Sequence, residues 1–334
     1  MDSRGDPDLG TVRTRISLLN YRWTRESERR SMGYQEFLCV VEKNMNQKLE
    51  GGVTASIQVT MKNNGKIKQG ILVEDPRVNI SPTIYLESFY EKFQEGESMD
   101  EILNGILKVY ESIRYKTSWN TRSIVEFEQV KSKIVFKLVN QEKNRKLLEQ
   151  VPHRDVLDLS LVFYVLLDLN AKGTASMLIR NEHLESWGVE EQELYPLACE
   201  NVMRLLPARF FAMKDLVNRL MAEGRTGVLD LLEHPEYLPK DMMYVLTNPE
   251  SSYGAATIRY PGVLEHVGMI LKESFFILPS SIHEVILVPV SQGMTAEELS
   301  NMVCEVNDSQ VEYEEQLSDH VYYYSWEKKV LEQR

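Results

Sequence analysis

The chain has 334 residues, 43% of them hydrophobic and 26% charged, with 38 Lys and Arg against 50 Asp and Glu for a net charge of −12. This is the composition of a soluble globular protein long enough for about two domains. No apolar run reaches the roughly 18 residues of a membrane span, no signal-peptide core follows the basic residues near the N-terminus, and the acidic balance argues against general nucleic-acid binding.

Residues 1–31 stand apart, with seven Arg, no Lys and five acidic residues. Glu28-Arg29-Arg30-Ser31 can be encoded by a purine-rich stretch resembling a bacterial ribosome-binding site just ahead of Met32. Two readings stay open: Met32 is the natural start, or residues 1–31 are a disordered basic arm. From Tyr34 to Leu49, apolar residues at Phe37, Leu38, Val41, Met45 and Leu49 keep helical spacing, and Gly51-Gly52 ends the helix. Val53, Ala55, Ile57, Val59 and Met61 then alternate with mostly polar residues. The pattern resumes at Ile67, Ile71 and Val73 beyond Asn64-Gly65, so a β-hairpin is predicted. A helix is expected from Pro82 through Phe89 and Phe93 to Gly96. Ser98 with Glu101 forms a capping box ahead of a second helix.

Ile134–Val139 reads as a strand, and the polar run Asn140–Gln150 as a charged helix or linker between two portions. Val156 to Leu169 is the most apolar segment and predicts a long central strand, paired with Ala175–Ile179. Helices are expected over Asn181–Gly188, Glu190–Leu206 and Phe210–Met221, and strands over Met242–Thr247 and Ala255–Tyr260. Pro261 opens a further helix. Phe275–Leu278 and Glu284–Val288 are β-branched and aromatic strands about the turn Pro279-Ser280-Ser281. Thr295 with Glu298 is a second capping box, Val321–Tyr324 a last strand, and 327–334 a charged tail. The apolar ribbons around Phe163 and Ile286 are expected side by side in one sheet.

The mixture of helices with hairpin-length connections predicts an α+β fold, helices packed on a mostly antiparallel sheet. The division expected is a leader (1–31), an N-terminal α+β portion with helix and hairpin (32–150), a larger C-terminal α+β domain (151–326) and the tail.

The chain carries no GxGxxG, GxxxxGK[ST], HExxH, paired-Cys or GxSxG motif, so no cofactor and no metal is expected. The cysteines Cys39, Cys199 and Cys304 fit reduced thiols in a cytosol. The catalytic candidates are Ser281 with His283, two apart on an extended segment, and Asp168 at the end of the central apolar strand. The bland reading of the pair is that the serine satisfies turn backbone groups while the histidine bonds locally. Asp168 would then cap a neighbouring element. Glu87 and Glu91 share a helix face and suit a metal or plain solvation. Glu327-Lys328-Lys329 fits the tail of a nuclease signature.

The stretch Leu278–Ile286 resembles an uncharacterised bacterial family, the domain of unknown function 5688. The likeness extends over Lys62-Asn63-Asn64-Gly65, Pro82–Glu87, Tyr244–Asn248, Gly254-Ala255-Ala256, Glu305-Val306-Asn307 and Leu317–Tyr322. It covers about Met32 to Trp326 and leaves out the leader. The resemblance implies a bacterial cytoplasmic protein and brings no activity with it. Two functions remain: a non-catalytic binding or assembly module, with a protein partner or a second copy of the chain, or an enzyme of unfamiliar, hydrolase-like type built around the Pro279–Glu284 turn.

Overall fold

A computed structural model describes residues 32–79, 81–114, 126–170, 173–221 and 228–334, with backbone alone at 168–170, 173–175 and 220. Residues 1–31, with the two readings of them as leader or basic arm, lie outside the described residues. The chain divides into two compact units. The first holds described residues 32–61 and 67–114; the second holds the hairpin tip 62–66 and everything described from 126 on. Both are α+β, and every strand pair in them is antiparallel.

In the first unit, helix α1 (Tyr34–Lys48) buries the predicted stripe Phe37, Leu38, Val41 and Met45. Strands β1 (Thr54–Met61) and β2 (Ile67–Glu74) pair from Thr54↔Glu74 to Met61↔Ile67. The outer edge of β1 is answered by α1. Asn46 exchanges two hydrogen bonds with the Ala55 backbone, and the Ile57 N–H donates to Glu42. An edge strand's open groups are satisfied this way without another strand. The helix expected from Pro82 begins later. Thr83–Tyr85 is strand β3, paired with β2, because a β-branched and aromatic run completes the sheet edge first. Helices α2 (Glu87–Glu95) and α3 (Met99–Ile113) follow, α3 opening on the predicted Ser98–Glu101 box. Ile71, Ile102 and Ile106 close the core.

The second unit has two sheets. In one, β4 (Ile134–Asn140) pairs with β6 (Leu159–Asn170), and β5 (His153–Val156) and β7 (Gly173–Leu178) share the other side of β6. A helical turn, α4 (Arg145–Leu148), lies between β4 and β5, so the polar run 140–150 is internal to this unit. Every residue of β6 from Leu159 to Leu166 is buried, as its continuous apolarity requires. Helices α5 (Asn181–Trp187) and α6 (Glu191–Leu205) come next. Leu194, Ala198 and Val202 of α6 enter the same core as β4, and the Asn201 amide donates to the carbonyls of Lys131 and Ile134.

The other sheet has six strands. With β8 (Arg209–Ala212), β9 (Tyr244–Thr247), β10 (Phe275–Leu278), β11 (Val285–Pro289), β12 (Tyr322–Ser325) and β13 (Val330–Gln333), its order is β13-β12-β10-β11-β9-β8. Helix α7 (Met213–Met221) follows β8, so the helix expected from Phe210 starts with a strand that pairs β9. The strand expected over Ala255–Tyr260 is instead a tight 3₁₀ coil, Gly254–Arg259, buried from end to end at 254–258. Helix α8 (Val263–Leu271) succeeds it. The charged residues 327–334 supply the edge strand β13.

The Phe163 and Ile286 ribbons are strands, but they lie in different sheets, which corrects the expectation of one. Continuous apolarity reports burial of both faces and says nothing about which neighbours do the burying. Phe275, Ile277, Val285 and Leu287 join Phe163 in the core between the sheets. Leu278 and Val288, on the opposite face, pack with Leu299 and Val303 of helix α9 (Ala296–Ser309), which opens on the predicted Thr295–Glu298 box.

One carboxylate brackets the two sheets. Asp158, in the β5–β6 turn, accepts from the Ser318 hydroxyl at 2.6 Å, the Tyr322 hydroxyl at 2.6 Å and His320 Nδ1 at 2.9 Å. Burial first, then Asp158, pushes the Tyr322 hydroxyl far above its ordinary value, so it remains a donor. Asp158→Ala strands two buried hydroxyls, and urea denaturation is expected to show a loss of about 2–4 kcal/mol.

Candidate functional site

The polar corner of the β10–β11 hairpin is held on both sides, by backbone pairing on one and by side chains on the other. Toward the C-terminus, the Leu317 and Ser318 amides donate to the carbonyls of Ser280 and Pro279, and the Ile282 amide donates to the Glu315 carbonyl. Ser281 and Gln316 thereby form a single antiparallel bridge. On the other side, at the end of β9, the Thr247 hydroxyl donates to the His283 carbonyl at 2.7 Å. The Asn248 carboxamide oxygen accepts from the amides of Glu250 and Ser252 and folds the loop back. That loop delivers Tyr253 in the left-handed region, its ring stacked on His283 at 5.9 Å. Gly254 must be glycine here. A Cβ would lie 2.1 Å from Thr247 Oγ1 and 2.4 Å from the His283 carbonyl oxygen.

Between these walls opens a cleft of about 360 Å³ lined by Ser251, Ser281, His283, Glu284, Gln310, Val311 and Glu315. Ser281 and His283 are thus brought together, but through the backbone: the Ser281 hydroxyl accepts the His283 N–H at 2.9 Å. The imidazole is engaged elsewhere. Its Nδ1 accepts from the Tyr253 amide at 3.4 Å, which leaves Nε2 as the protonated nitrogen, 3.5 Å from the Glu315 carboxylate. Tyr253 is itself held by Lys137 above its ring and by the edge of Tyr164.

Glu284 is the perturbed group. Burial pushes its carboxyl above the ordinary 4.5; His283 and a hydrogen bond from Ser281 pull it down, and Glu315 adds to the rise. A hydrolase would aim the imidazole at the hydroxyl. This arrangement instead presents two carboxylates, an imidazole N–H and hydroxyls to whatever enters.

The remaining candidates fall elsewhere. The backbone of Asp168 lies in β6 opposite Ala175, at a register shift, and its side chain is outside the described residues. Glu87 accepts the Gln69 amide at 2.8 Å in the first unit, where Glu91 is exposed. No group of three His, Cys, Asp or Glu among the described residues could hold a metal ion. Glu327-Lys328-Lys329 makes the β12–β13 turn, Lys329 pairing with Glu265. Sequence reasoning overlooked Gln310 and Glu315, which sit in an acidic run that reads as a solvated face; their signal is the bridge to the Pro-Ser-Ser turn, which only the fold displays.

Because the folded protein holds the Glu284 proton more tightly than the unfolded chain, the stability this adds is complete below pH 4.5 and lost as pH rises through the folded value. Glu284→Gln is therefore expected to flatten the fall of stability with pH above 4.5, read by urea denaturation across a pH series. An unchanged slope would place the perturbed proton on another group.

Among the described residues no helix is long and apolar enough to cross a membrane. No curated protein and no solved structure matches the chain. A family model described as "Family of unknown function (DUF5688)" matches residues 34–326, a span that takes in both units and all of the cleft. The chain therefore belongs to the DUF5688 family, a family of unknown function.

Proposed function

We propose that this chain is a non-catalytic binding module of the bacterial cytoplasm and that the cleft at the Pro279–Glu284 turn takes a basic side chain, lysine or arginine, from a protein partner. The observation that carries this reading is the gathering of Glu284 and Glu315 with His283 in the lining of one open cleft, Glu315 standing 3.5 Å from the imidazole. A carboxylate kept there against its own desolvation regains what burial takes away when a cation arrives. A guanidinium suits two carboxylates through its planar fork of donors. Free thiols at Cys39, Cys199 and Cys304 agree with a reducing compartment, and the bacterial assignment rests on the family resemblance.

The probe is N-acetyl-arginine amide, with N-acetyl-glutamine amide as the neutral control, titrated into the full chain under NMR observation. The arginine probe is expected to move the resonances of His283, Glu284 and Glu315, and the Glu284→Gln/Glu315→Gln double variant to weaken it at least about tenfold. Equal response to the neutral control, or none to either probe, would end this reading.

A hydrolase-like enzyme using Ser281 and His283 is the second reading, favoured by their meeting in one cleft. The two readings separate on Ser281→Ala. The binding reading expects loss of about 1 kcal/mol of stability, since the His283 N–H loses its acceptor, with the arginine probe still bound. The enzyme reading expects the same loss of stability together with an abolished activity.

A further inference from the structure

The hairpin tip Lys62-Asn63-Asn64-Gly65 reads in the sequence as an ordinary turn, yet its two asparagines are spent on the cleft. The Asn64 amide donates to the carbonyls of Tyr313 and Gln316, both at 2.7 Å, and the Asn63 amide donates to the Glu314 carbonyl at 2.8 Å. Asn64 is 4% exposed and held in the left-handed region at φ 57°, which asparagine tolerates better than most residues. It is locked by Asn144, itself 3% exposed: the Asn64 N–H donates to Asn144 Oδ1, and the Asn144 amide donates to Asn64 Oδ1, both at 2.9 Å. Asn140 donates to the next carbonyl, Leu317, at 3.0 Å. Residues 313–317 are thus gripped by asparagine amides from the tip and β4. The same segment is stitched to the Pro-Ser-Ser turn by its own backbone and carries Glu315 into the cleft.

We propose that Asn63 and Asn64 are positioning residues for the cleft: their side-chain amides fix the carbonyls of Tyr313, Glu314 and Gln316, and this fixes where Glu315, which lies among them, stands relative to His283 and Glu284. The inference rests on the cleft being the working site, as proposed above, but its test needs no ligand. Asn64→Asp keeps the backbone geometry and the acceptor for Asn144 while turning a carboxylate oxygen toward the Tyr313 and Gln316 carbonyls. Hydrogen exchange on the full chain is expected to quicken about tenfold at the Ile282 and Leu317 amides, the bonds between the segment and the turn. Carbon-detected NMR titration is expected to show the Glu284 midpoint falling toward its ordinary value as the cleft wall withdraws.

The matched control is Asn201→Asp, which breaks an equivalent buried amide clamp, on Lys131 and Ile134, beside the other sheet. It should leave both readouts at their wild-type values. Should Asn64→Asp fail to fold, Asn63→Ala removes the single bond to Glu314 and is expected to move both readouts the same way by a smaller factor. Unchanged exchange and midpoint in the tip variants, or an equal change in Asn201→Asp, would overturn the proposal. Failure of the arginine probe to bind the unaltered chain would end the binding reading alone, since exchange at Ile282 and Leu317 decides the positioning role by itself.

Discussion

Residues 313–318 belong to no helix and no long ladder, yet Leu317 and Ser318 are wholly buried. Burying irregular backbone is the hardest demand in this unit, because each amide and carbonyl taken from water must find a partner or cost roughly 1–3 kcal/mol. The chain meets that demand with carboxamides. Asn63, Asn64, Asn140 and Asn307 each donate to a carbonyl between 313 and 318, and Gln316 reaches back to the carbonyls of Asn307 and Val311. A carboxamide serves well because it donates and accepts without carrying charge into the interior. The cleft exists because one side of this segment is answered by side chains and the other by the Pro-Ser-Ser turn.

The rest of the second unit follows from faces. Strands β10 and β11 alternate: Phe275, Ile277, Val285 and Leu287 enter the core shared with β6, and Leu278 and Val288 meet α9. Two sheets joined across one apolar core need a polar fastening at the rim, and Asp158 supplies it with three donors on one carboxylate. Carboxylate hydrogen bonds of that kind are about twice as strong as neutral ones. The site therefore sits at the margin of a rigid layer, where pairing ends and side chains take over.

Local pattern made much of this legible. The α1 stripe, the hairpin of β1 and β2, both capping boxes, β6 and the β10–β11 pair were all readable from spacing and turn chemistry, since each depends on residues near one another in sequence. The failures share a cause. Ala255–Tyr260 looks like a strand because it is short and largely apolar, but Gly254 packs against the Thr247 hydroxyl and the His283 carbonyl and sends the chain into a 3₁₀ coil. The Phe163 and Ile286 ribbons read as neighbours in one sheet because apolarity carries no record of partners, whereas β6 and β11 belong to different sheets. Of the site, Ser281 and His283 were legible from the turn. Glu315 and Asn64 were not, since a glutamate in an acidic run and an asparagine before glycine each have a commonplace local explanation.

The Asn64 bonds span 249 and 252 positions of sequence. Contacts of such separation form late, after the intervening chain has closed a long loop. On the ribosome, the β10–β11 hairpin can emerge and pair while its neighbour at 313–318 is still in the exit tunnel. At that stage the Pro-Ser-Ser turn stands without the segment that walls it, so the cleft takes shape only after residues 313–318 have emerged and the Asn64 bonds have closed.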